Sequence, residues 1–152
     1  MFAPTGQKSG RFKDSLNNVH ATSEFVANMA AWALRDFVWL SSTPAPPEVD
    51  EFDVTGLTPV PGRLVVPPRV KESPAHLECQ YVQTVTLPHT GRDNANHVVI
   101  GRVVGIHIDD SFLVNGLVDQ LRIEPMARLG YTGYTQVTEV HAKPFPTWPP
   151  SA

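Results

Sequence analysis

The chain has 152 residues, 41% of them hydrophobic and 18% charged, with a net charge of −3 and a pI of about 6.0. This is enough for one domain with a real core, and the balance excludes a disordered segment and a basic nucleic-acid-coating protein. A lone cysteine, Cys79, excludes an internal disulfide framework and a multi-cysteine zinc site and fits a reducing compartment.

In chain order, Met1-Phe2-Ala3-Pro4 reads as the end of a strand broken by proline, and Thr5 to Arg11 as a polar, glycine-containing loop. Lys13-Asp14-Ser15 then brings together a basic residue, a helix cap and a hydroxyl. Asp14 is the N-cap candidate, because its carboxylate can accept a bond from a first-turn amide. Helix one is expected over Ser15–Ala21, with Leu16 and Val19 on one face. Its N-terminus is a natural phosphate seat, although a capped surface helix explains the same residues. A strand follows over Phe25–Met29, Phe25 and Ala27 on one face, Val26 and Asn28 on the other. Ala30–Ser41 reads as a helix whose core face is Ala33, Leu34, Phe37 and Leu40.

The acidic patch Glu48, Asp50, Glu51 and Asp53 is read as a short solvated helix ended by Gly56 rather than a metal site. Val65–Arg69 is extended and braced by proline. Ala75, Leu77, Cys79 and Tyr81 alternate with His76, Glu78 and Gln80, the pattern of a half-buried strand reaching Leu87. Cys79 falls on its apolar side, as a buried thiol and not a nucleophile. After a polar hairpin loop, Pro88–Asn96, a second long strand covers His97–Asp109 and pairs antiparallel with the first. Its core face is Val98, Ile100, Val104, Ile106 and Ile108; Gly101 and Gly105 on the other face admit a close neighbour.

Asn115-Gly116 signals a turn, Leu121–Leu129 a helical turn, and Thr135–Ala142 a closing strand. Prolines at 144, 146, 149 and 150 mark a loose tail, which divides the chain into a domain over 1–143 and a flexible proline-rich tail over 144–152.

Several chemistries are missing from the sequence. There is no Gly-x-Gly-x-x-Gly fingerprint, no Walker-type phosphate loop and no Gly-x-Ser-x-Gly elbow. The six histidines show no metal-site spacing, so no metal is expected. His107 reads either as a hydrogen-bonded strand histidine or as a proton donor near a cofactor. No apolar run is long enough to span a membrane and the N-terminus has no secretory form, so a cytoplasmic protein without membrane or nucleic-acid partners is expected.

The ordered motifs resemble one family, the flavin reductase-like, FMN-binding split-barrel proteins. They are Lys13-Asp14-Ser15-Leu16-x-Asn18, Glu24-Phe25-Val26-x-Asn28, Asp50-Glu51-Phe52 with Gly56-Leu57, and Pro67-Pro68-Arg69-Val70-x-Glu72-Ser73-Pro74. His76-Leu77-Glu78-Cys79, Gly105-Ile106-His107-Ile108, Gly116-x-Val118-Asp119 and Ala127-Arg128-Leu129-Gly130-Tyr131 complete the series. The resemblance implies a mainly β fold with short helices, a Greek-key split β-barrel that forms a homodimer and holds FMN, with FAD as the other candidate flavin. It implies that Lys13, Asp14 and Ser15 lie at the flavin phosphate, that Asn18 braces their helix, and that Arg128, Gly130 and Tyr131 lie near the cofactor pocket or the dimer contact. It assigns no catalytic residue, since the flavin supplies the redox chemistry. The implied reaction is hydride transfer from NADH or NADPH to flavin, with reduced flavin feeding an oxygenase partner. Family members carry roughly a third more chain ahead of the position of Met1, so an N-terminally shortened barrel is expected. Trp39 replaces the asparagine common in the family. A non-catalytic remnant serving as a dimerising or interaction domain is the alternative function, and a generic β-barrel ligand-binding module explains the composition but not the ordered motifs.

Overall fold

The computed structural model describes residues 1–4, 12–88, 96–146 and 148. The expected loop at 5–11, the hairpin tip at 89–95 and tail residues 147 and 149–152 lie outside the described residues. Helix α1 (Asp14–Thr22) is one residue longer at each end than its sequence pattern suggests, and it buries Leu16 and Val19 as that pattern requires. Asp14 is not its N-cap. Lys13 holds that position without a side-chain cap, and its carbonyl accepts the amides of Leu16 and Asn17 at 2.9 and 3.1 Å. The backbone thus closes the first turn one residue early, and Asp14 becomes a first-turn acid that complements the helix dipole. Ser23, left-handed at φ 59°, turns the chain directly into β1 (Glu24–Asn28).

The expected Ala30–Ser41 helix is divided. A 3₁₀ turn at Trp32–Leu34 precedes α2 (Arg35–Ser41). The Trp32 amide donates to Glu124 O at 2.8 Å and Ala31 bridges to Pro125, which ties the start of the segment to a distant strand. Three residues per turn there and 3.6 beyond break the single face. Ala31 and Leu34 are buried, Leu40 is half-buried, and Ala33 and Phe37 are exposed. Helix α3 (Glu51–Thr55) is the expected short solvated helix: the Asp50 carboxylate accepts the Phe52 amide at 2.8 Å, and Gly56 ends it at φ 72°. Among the described residues no cluster of three or more His, Cys, Asp or Glu side chains could hold a metal.

Strands β2 (Pro59–Val60) and β3 (Arg69–Val70) pair antiparallel around a bend at 63–67, which replaces most of the expected extended segment. The long strands β4 (Ala75–Thr86) and β5 (His97–Ile108) form the expected antiparallel pair, and β1 joins them in the order β1-β4-β5. Their buried faces differ from the alternation read in the sequence. A register shift lies between Glu78 and Cys79, where Val104 is the extra residue on β5, so β5 changes faces there while β4 stays in regular register with β1. On β4 His76 and Glu78 are buried on one face; on the other, Cys79 is buried against the α1 core while Leu77 is exposed. On β5 the face meeting α1 and Phe25 carries His97, Val99 and Gly101, while Ile106 of the expected core face is 65% exposed.

The core gathers Leu16, Val19, Phe25, Cys79 and Val99, flanked by Phe2 and Tyr81. Each fully buried aliphatic or aromatic side chain there contributes about 1.5–3 kcal/mol. A Cβ on Gly101 would sit 2.5 Å from the Phe25 ring, so glycine is what lets that ring lie on β5.

Beyond β5 the elements are short. Asn115 and Gly116, at φ 52° and 77°, form a tight turn between β6 (Leu113–Val114) and β7 (Leu117–Val118). Asp119 caps α4 (Gln120–Ile123), accepting the Arg122 amide at 3.1 Å, so the expected helical turn is shorter and starts earlier than Leu121–Leu129. Strands β8 (Met126–Arg128) and β9 (Tyr134–Gln136) pair, and the expected closing strand over Thr135–Ala142 shrinks to β9 because Pro125 brings no amide to extend its partner. The fold is mainly β with a few short helices. Among the described residues the strands make one three-stranded sheet and three two-stranded ones, an open arrangement rather than a closed barrel. No described helix is long and apolar enough to cross a membrane.

Candidate functional site

Two neighbouring cavities meet at the start of α1. The first, about 400 Å³, is lined on one side by Lys13, Asp14 and Ser15 and on the other by Ser41, Ser42 and Thr43. The tight passage from Lys13 into the helix places its side chain and that of Ser15 at the positive end of the helix dipole. No carboxylate lies within 4 Å of the Lys13 ammonium among the described residues. The hydroxyls of Ser41 and Ser42 donate to Val38 O and Trp39 O at 3.1 and 2.6 Å, which fixes the far wall on the last turn of α2. Asp14 and Glu51 are the carboxylates in this lining.

The second cavity, about 650 Å³, shares Phe2 and Ser15 with the first. It is an apolar trough along β1, walled by Phe25, Val26, Phe52 and Val66 to Pro68. Phe2 packs edge-on against Phe25, ring centroids 5.2 Å apart. Asn28 fixes the far end of the trough, its Oδ1 accepting the Val70 amide at 2.9 Å. The composite site carries Lys13, the start of α1 and several hydroxyls beside the Asp14 and Glu51 carboxylates at one end, and is mainly apolar along its length. Such a shape fits a ligand with an anionic end and a broad apolar body.

The sequence-expected residues are thus only partly brought together. Lys13, Asp14 and Ser15 share one wall. Arg128, Gly130 and Tyr131 line neither cavity and lie in the β8–β9 hairpin. There the Arg128 guanidinium donates to Tyr134 Oη at 2.7 Å and to Tyr131 O at 2.8 Å, and stands 4.8 Å from the Tyr134 ring centroid. Tyr131, left-handed at φ 60°, is fully exposed.

A buried polar cluster on the other half of β4 was not read from the sequence. Glu78 is fully buried and accepts the amides of Arg63 and Leu64 at 2.8 and 2.7 Å and His107 Nε2 at 2.7 Å. Burial pushes its pKa up, but the two amides and His107 outweigh that and hold the carboxyl below its usual range. His107 is therefore a hydrogen-bonded strand histidine. Facing it across the pair, His76 donates Nε2–H to Val70 O at 2.8 Å, and burial lowers its pKa so that it stays neutral. The buried His76 Nδ1 has no partner among the described residues. Burial pushes the Cys79 thiol up, as befits a core residue. The signal for the cluster was the polar set alternating with Ala75, Leu77 and Cys79, which serves an inward face as readily as an outward one.

The sequence profile of the flavin reductase-like domain matches residues 8–122. An uncharacterised protein of Aquifex aeolicus (strain VF5) is 31% identical over 137 residues, covering 90% of this chain and 67% of that protein. The chain spans 67%, 66% and 60% of the lengths of three curated relatives it matches. Component B of nitrilotriacetate monooxygenase from Bacillus cereus is 24% identical, with a TM-score of 0.84 over 93% of this chain and 69% of that one. Flavoredoxin of Desulfovibrio vulgaris (Miyazaki F) is 22% identical, with a TM-score of 0.74 over 94% of this chain and 79% of that one. These structural likenesses identify a shared fold.

Proposed function

We propose that this chain, which belongs to the flavin reductase-like domain family, binds FMN in the composite site at the start of α1. The observation that carries the reading is the continuity of the two cavities through Phe2 and Ser15, because a flavin mononucleotide has one phosphate end and one broad ring system. Lys13 and Ser15 hold the phosphate, a charge-assisted contact reinforced by the helix dipole. Asp14, in the same wall, orients the seat and sets its local charge. Phe25, Phe52 and Pro67 line the trough that takes the ring and exclude water from it. Bound flavin supplies the hydride-accepting chemistry, with NADH or NADPH as donor. The lining offers no obvious acid–base pair, which suits a reaction whose chemistry belongs to the cofactor.

The proposal extends to the assembly. A homodimer in complete split-barrel form is supported by the exposed apolar residues of the β4–β5 pair, among them Leu77 and Val103. Arg128 and Tyr131, exposed and outside this chain's own cavities, fit a contact with a second copy. Delivery of reduced flavin to an oxygenase is the use that the family resemblance supports.

A flavin titration tests the reading. Purified protein is expected to quench FMN fluorescence saturably and then to consume NADH or NADPH once FMN is added. Protein that leaves FMN fluorescence unchanged up to high concentration overturns it and leaves the dimerising or interaction-domain reading.

A further inference from the structure

A third cavity, about 650 Å³, lies between β3 and the Ile106–Asp110 end of the β4–β5 pair. It shares no lining residue with the Lys13 cavity or the Phe25 trough. Three cations line it: Arg63, Arg69 and Lys71. Arg69 is engaged, donating from Nε and Nη2 to Pro61 O at 3.2 and 3.1 Å and lying 3.9 Å from the Glu78 carboxylate. Arg63 and Lys71 are exposed, with no carboxylate within 4 Å among the described residues.

The acids nearby do not answer them. Glu78 is saturated by two amides and His107. Asp109 accepts the Ser111 amide at 2.8 Å, and the Ser111 side chain together with that amide holds its carboxyl below the usual range. Asp110 is the remaining carboxylate of the lining. Beside the cations the same cavity carries Val60 and the exposed Ile106. His76, whose Nδ1 is buried without a donor, belongs to its wall.

We infer that this cleft is a second binding site, separate from the proposed flavin site, for a small organic anion with an apolar body. Arg63 and Lys71 receive the anionic head, and Val60 and Ile106 carry the body. The lining is mainly polar and charged, with Val60, Ile106 and Ile108 as its apolar members. A carboxylate or a phosphate monoester satisfies the head chemistry equally. Glu78 and His107 position the cleft: the Glu78 carboxylate anchors the amides of Arg63 and Leu64 and so fixes the loop from which the Arg63 side chain projects.

The test is backbone-amide NMR of the full chain titrated with phenyl phosphate, benzoate and inorganic phosphate. Phenyl phosphate or benzoate is expected to shift Lys71, Ile106 and His107 saturably and more tightly than inorganic phosphate binds. Arg63→Ala and Lys71→Ala are each expected to weaken that binding about tenfold, the loss of one charge-assisted contact. Both truncations leave the backbone amides held by Glu78 in place. Lys13→Ala with Ser15→Ala is expected to leave the shifts intact, which separates this inference from the flavin proposal. Absence of saturable shifts at these positions overturns it. So do shifts that persist in the Arg63→Ala/Lys71→Ala double variant, or inorganic phosphate binding as tightly as phenyl phosphate.

Discussion

The two halves of the β4–β5 pair are buried in opposite ways and on opposite faces of one sheet. From the bulge at Glu78/Cys79 toward Thr86, the inward face is hydrocarbon and sulfur: Cys79 and Val99, closed by Phe25 lying on Gly101. From the bulge toward Ala75, it is His76, Glu78 and His107. The first half excludes water with apolar area. The second does so by giving Glu78 a donor for each oxygen, with a third from His107. Burial depth is therefore no guide to polarity here, because a fully satisfied carboxylate is as compatible with the interior as valine. The difference also separates the sites: the apolar half carries the trough along β1, and the polar half backs the cleft lined by Arg63 and Lys71.

Breaking the polar half should cost most. Glu78→Ala strands two buried amides and His107, and a loss of about 3–5 kcal/mol is expected in urea unfolding. A loss below 1 kcal/mol would mean that water or loop movement replaces the carboxylate. On the apolar half, Val99→Ala should cost about 2 kcal/mol through a core cavity. Gly101→Ala should cost about 1–3 kcal/mol, because its methyl would collide with the Phe25 ring. A neutral result there would show that the ring is not seated on β5.

Acid titration sharpens the contrast with the smallest effect. The folded pKa of Glu78 lies below its unfolded value, so the unfolded chain binds the proton more readily. The stability it confers is complete above the unfolded carboxyl value of about 4.3 and is lost as pH falls through the lower folded value. Wild-type stability should therefore drop below about pH 4.3, with a shallower drop in Glu78→Gln. Val99→Ala should keep the wild-type slope, since it removes no titrating group. A Glu78→Gln slope equal to wild type would assign the acid sensitivity to other carboxylates.

Much of the fold is legible because it is local. The Asn115-Gly116 turn, the Asp50 cap with the Gly56 stop, and the long β4–β5 pairing are written in adjacent residues. The faces of β4 and β5 are not, since β4 is covered on both faces at Glu78 and Cys79 and the extra residue Val104 inverts β5, and nothing in the alternation marks either. The helix over Ala30–Ser41 misled for a similar reason: its opening turn is set by Glu124 and Pro125, far along the chain. At the candidate site Lys13 and Ser15 stand out by sequence. The opposite wall at Ser41–Thr43, and the acceptor role of Glu78 toward Arg63 and Leu64, exist only in three dimensions.

The central claim is that Lys13 and Ser15 form the phosphate end of a flavin site. Its most direct test compares FMN with riboflavin, which lacks the phosphate, by fluorescence titration of wild type and the Lys13→Ala/Ser15→Ala variant. FMN affinity is expected to fall at least about tenfold in the variant, while riboflavin affinity stays within about twofold. Equal losses for the two flavins, or no loss for FMN, would contradict the account.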